Sequence, residues 1–106
     1  MRRTLKLNVK HKWFEVMVTG EKKFEYRSPS QWLQSRLKNP NYDFVEIRSG
    51  YGKTRPVFIA KCELIYHSES HHPVTMNFSN NLKVVVNWGD VIIKLGEIIK
   101  VENYAT

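Results

Sequence analysis

The stretch Gly20-Glu21-Lys22-Lys23-Phe24-Glu25-Tyr26-Arg27 sets a glycine against a run in which ionisable and aromatic residues alternate. Read as a strand over 23–27, its period of two puts Phe24 and Tyr26 on one face and Lys23, Glu25 and Arg27 on the other. A carboxylate and a guanidinium two positions apart on one strand face either hold a polar ligand between them or neutralise each other. Spacing alone leaves both open. The rest of the chain reads as scaffold around this strand.

Upstream, Leu5, Leu7 and Val9 alternate with Lys6, Asn8 and Lys10, which predicts a half-buried strand with a basic outer face. From His11 the period lengthens. Trp13, Phe14, Val16 and Met17 group on one side of a helix that Gly20 can close in a left-handed conformation. Within such a stripe Trp13 is read first as core. Downstream, Ser28-Pro29-Ser30-Gln31 offers a capping serine, a proline at the first helical position and a glutamine three residues after the cap. Trp32, Leu33 and Leu37 supply the apolar stripe, Arg36 and Lys38 favour the helix end, and Asn39-Pro40-Asn41 stops it. A second helix is predicted over roughly 29–38.

Tyr42 to Arg48 alternates again, with Val45 and Ile47 on one face and Phe44, Glu46 and Arg48 on the other. Pro56 to Tyr66 is predicted as its antiparallel partner across the loop Ser49-Gly50-Tyr51-Gly52-Lys53-Thr54. A tyrosine between two glycines can swing over a ligand, or simply sit at a hairpin turn. The loop lacks the glycine and lysine spacing of a phosphate-binding loop. Residues 67–81 show no sustained periodicity and are expected to form the most flexible loop. His67, Glu69, His71 and His72 match no standard ligand spacing, so neither a metal nor a cofactor is expected. Leu82 to Trp88 and Val91 to Leu95 then predict a hairpin turning at Gly89-Asp90, with a bulge at Gly96-Glu97 before a last short strand over 98–101. The expected fold class is α+β, a single β-rich domain over residues 1–106 with two short helices in its N-terminal half.

That length suits one core, and three Trp, five Tyr and five Phe argue against disorder. Seventeen Lys and Arg against ten Asp and Glu leave a formal charge of +7, which favours polyanionic partners. The single cysteine, Cys62, has no intrachain partner, and its apolar surroundings suit a small buried hydrophobe better than a nucleophile. No apolar run of signal or membrane-spanning length follows Met1-Arg2-Arg3-Thr4, so a cytoplasmic protein without a membrane partner is expected. The sequon Asn77-Phe78-Ser79 carries no weight in that setting.

Taken together, Lys12-Trp13-Phe14 and the G-x-K-x-x-E-x-R signature of Gly20, Lys22, Glu25 and Arg27 resemble the ASCH domain family, relatives of the PUA domains of RNA-modifying proteins. Trp32 with Arg36-Leu37, Tyr42-Asp43-Phe44-Val45, Ile47-Arg48-Ser49-Gly50-Tyr51 and Val91-Ile92-Ile93-Lys94-Leu95-Gly96 look like a branch common in phages and bacteria. The resemblance covers the chain except for about residues 67–81. It implies a PUA-like β-barrel with a cleft beside the signature, and binding of RNA or modified nucleosides. One branch of that family removes the acetyl group of 4-acetylcytidine with a lysine and a threonine at the signature. Lys22 matches the lysine, whereas Glu25 stands where that threonine would be, so a carboxylate would serve there as general base or electrostatic partner.

Two functions follow as expectations. In a binding module, Lys22 and Arg27 engage a phosphate or a base edge, Glu25 accepts hydrogen bonds, and Tyr51 or Trp32 stacks on a base of single-stranded RNA or a nucleoside, with DNA as a further ligand. Lys12 and Arg48 complete the expected ligand-binding set, and Arg2, Arg3, Lys6, Lys10, Lys53 and Arg55 would extend a phosphate track. In a hydrolase acting on a modified nucleoside or RNA, Glu25 is the general base and Lys22 polarises the oxygen under attack. A purely structural ion pair of Glu25 with Arg27 or Lys22 is the third outcome. Oligomeric state has no sequence signal.

Overall fold

In the computed structural model, which describes residues 2–104, the alternation of the first strand is kept: Leu5 and Leu7 of β1 (Thr4–Val9) are buried, Thr4 and Lys6 exposed. β1 runs parallel to β3 (Phe44–Ser49), with Leu5 opposite Val45 and Leu7 opposite Ile47, so one face carries a continuous apolar row. β3 pairs antiparallel with β4 (Val57–His67), which pairs with β7 (Val91–Glu102), and the far edge of β7 takes β2 (Phe24–Arg27). The order β1-β3-β4-β7-β2 curls into a half-barrel, and with two short helices this is an α+β fold.

Curvature has a local cause. Between Ala60 and Cys62 of β4 the partner on β7 jumps from Ile98 to Leu95, and further register shifts flank it. Each unpaired residue bends its strand and increases the twist. The bulge expected at Gly96-Glu97 is there, yet β7 continues through it as one long strand instead of breaking. The Glu63 side chain packs over Gly96, where a Cβ would lie 2.8 Å from Glu63 Oε1 and displace that half-exposed side chain.

Helix α1 (His11–Val18) lays Phe14, Val16 and Met17 into the core. The Phe14 ring meets Phe58 at 5.5 Å and Tyr104 at 5.3 Å. Burying each such side chain stabilises by about 1.5–3 kcal/mol. Gly20 ends the helix as expected, at φ +85° with its N–H donating to Met17 O (3.0 Å). Helix α2 (Gln31–Arg36) is shorter than the predicted 29–38, and its cap is Ser30 rather than Ser28: the Ser30 Oγ accepts from Leu33 N at 3.1 Å. Ser28 precedes a proline and is thereby biased to extended backbone, while Ser30 itself is extended (φ −139°, ψ 161°), as a cap residue must be.

Residues 67–81 depart furthest from expectation. They contain β5 (Val74–Asn77), which pairs antiparallel with β6 (Lys83–Val86) as a separate two-stranded sheet. The predicted hairpin between residues 82–88 and 91–95 does not form, because both edges of β7 are already taken by β4 and β2. The turn between β6 and β7 redirects the chain: Gly89 has φ +84°, Asp90 Oδ2 accepts from Asn87 N (2.8 Å), and Gly89 N donates to Ser68 O (2.8 Å). The tip of the β5–β6 hairpin is clasped to α1 and the turn after it. Ser79 donates its N–H (2.8 Å) and Oγ–H (2.5 Å) to the Glu21 carboxylate, and Asn80 Nδ2 donates to Lys12 O (2.9 Å). Among the described residues no helix is long and apolar enough to cross a membrane.

Candidate functional site

β2 keeps the alternation read from its sequence. Phe24 and Tyr26 stack on one face (6.2 Å, 20° between planes), and Glu25 and Arg27 share the other. The charged face is the one turned inward: Glu25 is only 6% exposed. Lys22, from the turn that Gly20 opens, is only 3% exposed. Its Nζ lies 3.0 Å from Glu25 Oε1 and donates to Phe24 O at 2.6 Å. Arg27 donates from Nε (3.1 Å) and Nη2 (3.0 Å) to Glu25 Oε2, and Tyr26 N donates to Oε1 (3.2 Å). Arg27 Nη2 also donates to Asn8 O at 2.7 Å, so a side chain ties the edge strands β2 and β1 together.

Two cations thus converge on one carboxylate in a buried setting. Each Glu25 oxygen receives two donors, which fills the roughly four lone-pair sites of a carboxylate. Glu25 is therefore an organiser of Lys22 and Arg27, with no lone pair left to take a proton from water. Lys22 has one further proton to give, and its Nζ lies 5.2 Å from the Tyr26 ring centroid and 5.6 Å from that of Trp13. Burial pushes the Lys22 pKa below its ordinary value; the Glu25 charge and hydrogen bond oppose that shift and Arg27 adds to it. Burial likewise pushes the Tyr26 phenol up, aided by Tyr66 and Glu25.

The triad forms the floor of a cleft of about 360 Å³ whose walls are Asn8, Val9, Lys10 and Lys12 on one side, Trp13 and Tyr26, and Val84 from β6. Lys12, Lys22, Glu25 and Arg27 all border this cleft; the strand period had aligned only Glu25 and Arg27, and Lys12 and Lys22 were expected there from the resemblance. Trp32, Arg48 and Tyr51 are not at this cleft. Trp32 stands on α2 with the Arg36 guanidinium 5.1 Å from its ring. Arg48 faces Glu46 (3.9 Å) and donates to Gly52 O (2.9 Å). Tyr51 is 86% exposed at the tip of its loop. Trp13, read first as core, is half-buried and lines the cleft, a position its place in Lys12-Trp13-Phe14 beside the signature could have signalled. Val84 had no such signal, because it arrives through the unforeseen β5–β6 sheet.

A larger cavity of about 480 Å³ opens on the other side of the Lys22 turn, between the end of α1 and β7. Lys22 borders it as well, with Lys23, Glu63, Lys94 and Glu97, but Glu25 and Arg27 do not, and Glu63 pairs with Lys94 (3.4 Å) on an exposed edge, so the assembled cluster faces the smaller cleft. Elsewhere, Ser49 Oγ lies 2.8 Å from His11 Nδ1, and His11 Nε2 lies 3.4 Å from Glu15 Oε1. This serine–histidine–carboxylate string is sealed: Ser49 has no exposed surface, and Arg55 donates to both its Oγ (3.2 Å) and its carbonyl (2.9 Å). Burial raises the Cys62 pKa, so its thiol is a weak nucleophile. Among the described residues no group of three or more His, Cys, Asp or Glu side chains gathers as metal ligands would. Comparison of the chain with protein-family models, with curated proteins and with solved structures gave no match.

Proposed function

We propose that this chain is an RNA- or modified-nucleoside-binding module of the ASCH type, PUA-like in fold and acting in the cytoplasm, with its ligand held in the Lys22–Glu25–Arg27 cleft. The observation that carries the proposal is the buried ion cluster open to an aromatic-walled cleft: Glu25 holds Lys22 and Arg27 in place, and Trp13 and Tyr26 stand beside them. Pre-oriented donors lose little freedom when a base edge or phosphate arrives, so more of the contact energy reaches affinity. With Nε and Nη2 committed to Glu25 and Asn8 O, Arg27 keeps the two N–H groups of Nη1 for a phosphate or base edge, and Lys10 and Lys12 add charge at the rim.

One observation favours a second reading. The lowered pKa of Lys22 raises the share of neutral amine, which suits a catalytic lysine in a hydrolase of amidohydrolase or ribonuclease type. Glu25 would then position Lys22 instead of acting as the base. Incubation with a panel of modified nucleosides and single-stranded RNAs, with bound ligand and products read by mass, separates the two. A retained, unchanged ligand supports the module; turnover lost in Lys22→Met supports the hydrolase. No retention and no turnover across the panel would overturn both.

A further inference from the structure

β1 borders two depressions. Asn8 helps wall the signature cleft, and Lys6, two residues earlier on the same strand face, belongs to a separate groove of about 370 Å³ with Arg3, Trp32, Arg36 and Tyr42. This groove differs in charge from the cleft. Three cations, Arg3, Lys6 and Arg36, line it with no acidic side chain, and none of them enters an ion pair among the described residues. Its aromatic residues are braced. The Arg3 guanidinium lies 4.2 Å from the Tyr42 ring centroid and donates to Asn39 O (2.8 Å) and Asn41 O (3.1 Å), while the Tyr42 hydroxyl donates to Arg36 O (2.5 Å). Trp32 remains 48% exposed. An indole that has the Arg36 guanidinium over its ring at 5.1 Å and half its surface exposed, beside cations that enter no ion pair among the described residues, has the chemistry of a base-stacking platform with phosphate contacts around it.

We propose that this groove is a second nucleotide subsite, so that the ligand is a single-stranded oligonucleotide lying along β1 from the signature cleft to Trp32. This rests on the reading that the cleft takes a nucleotide unit. The strand rise separates Lys6 from Asn8 by about 7 Å, comparable to the repeat of an extended single strand. Trp32 takes the face of an unpaired base, and Lys6, Arg36 and the fixed Arg3 meet the backbone leading to it. A duplex, whose bases are stacked on each other, does not offer that face.

The test uses the full chain with a nucleoside monophosphate and with labelled single-stranded RNA and DNA of increasing length, from about two to eight nucleotides, titrated across salt. Affinity is expected to rise well beyond that of the monophosphate once a strand reaches both sites. Trp32→Ala is expected to lower oligonucleotide affinity about ten-fold while leaving monophosphate binding at the signature cleft, read at the Trp13 and Tyr26 signals, unchanged, and Trp32→Phe to retain most of it. Arg36→Gln should reduce the salt slope by about one phosphate contact. The arm, RNA or DNA, that shows the Trp32 dependence identifies the polymer. Oligonucleotide binding that is weakened by Arg27→Gln but indifferent to Trp32→Ala and Arg36→Gln would overturn the second subsite and leave the cleft standing. Equal binding of a blunt duplex would also overturn it. Absence of binding by monophosphate and oligonucleotide alike would overturn the cleft reading and this one with it.

Discussion

Lys22 keeps a charged group in a nearly closed setting, and Glu25 is what makes that tolerable. Breaking a buried ion pair leaves an uncompensated charge, so Glu25→Ala should lower stability in urea unfolding by about 3–5 kcal/mol. Adding Lys22→Met to the same chain should recover part of the loss, since it removes one of the stranded cations. A loss below about 1 kcal/mol would place the cluster with exposed pairs. Lys22 should also titrate below the 10.5 of an ordinary lysine, which heteronuclear NMR of its side chain reads directly. Between that lowered value and the unfolded one the unfolded chain binds more protons. The contribution of Lys22 to stability therefore grows as pH rises through this window and is lost as pH falls through the folded pKa. Titration at or above 10.5 would contradict the burial argument. At this scale much was legible, because Lys22, Glu25 and Arg27 sit close in sequence and a strand's period is enough to align two of them. The inward turn of the charged face was not, because it depends on which side α1 covers.

The β5–β6 hairpin reaches the rest of the molecule at its tip through Glu21, Ser79, Asn80 and the edge-on contact of Phe78 with Trp13 (6.1 Å). It also brings Val84 to the cleft wall. Hydrogen bonds from Ser79 hold the Glu21 pKa below its ordinary value, so the clasp is present above pH 4.5 and is lost as pH falls through the lowered pKa. Hydrogen exchange at the β5 and β6 amides should accelerate in Ser79→Ala, and in the parent chain on acidification, with the β3 and β4 amides unaffected. Uniform acceleration over both sheets would show that the hairpin has no separate opening. This element was the least legible. β5 has only four residues, too few for the alternation of Val74-Thr75-Met76-Asn77 to stand out among loop-forming neighbours, and β6 looks like a partner for β7 until β2 is known to occupy that edge. Helix ends were legible to within two residues where a glycine or a proline punctuates the backbone. Gly20→Ala, which forces a side chain to φ +85°, should cost about 1–2 kcal/mol in urea unfolding even though nothing crowds the position.

Across the whole molecule, the five-stranded sheet is assembled from strands distant in sequence. β1 pairs with β3 in parallel, and β2 reaches β7 over some seventy residues of chain, so the alternation in each strand fixes its faces but not its neighbours. The fold class and the two helices could be read from periodicity; the sheet order could not. The curl brings edges β1 and β2 close enough for Arg27 to bridge them, and the cleft lies at that seam. A ligand in the cleft would therefore touch a residue that joins both edges. The central claim, that this seam binds a nucleotide unit, is tested most directly by adding a single-stranded RNA of about eight nucleotides to isotope-labelled protein at low salt and following the Trp13 Nε1–H, Tyr26 N–H and Arg27 Nε–H signals. The account predicts saturable shifts in all three that weaken as salt rises. Signals that stay fixed while the RNA is in excess at low salt would contradict it.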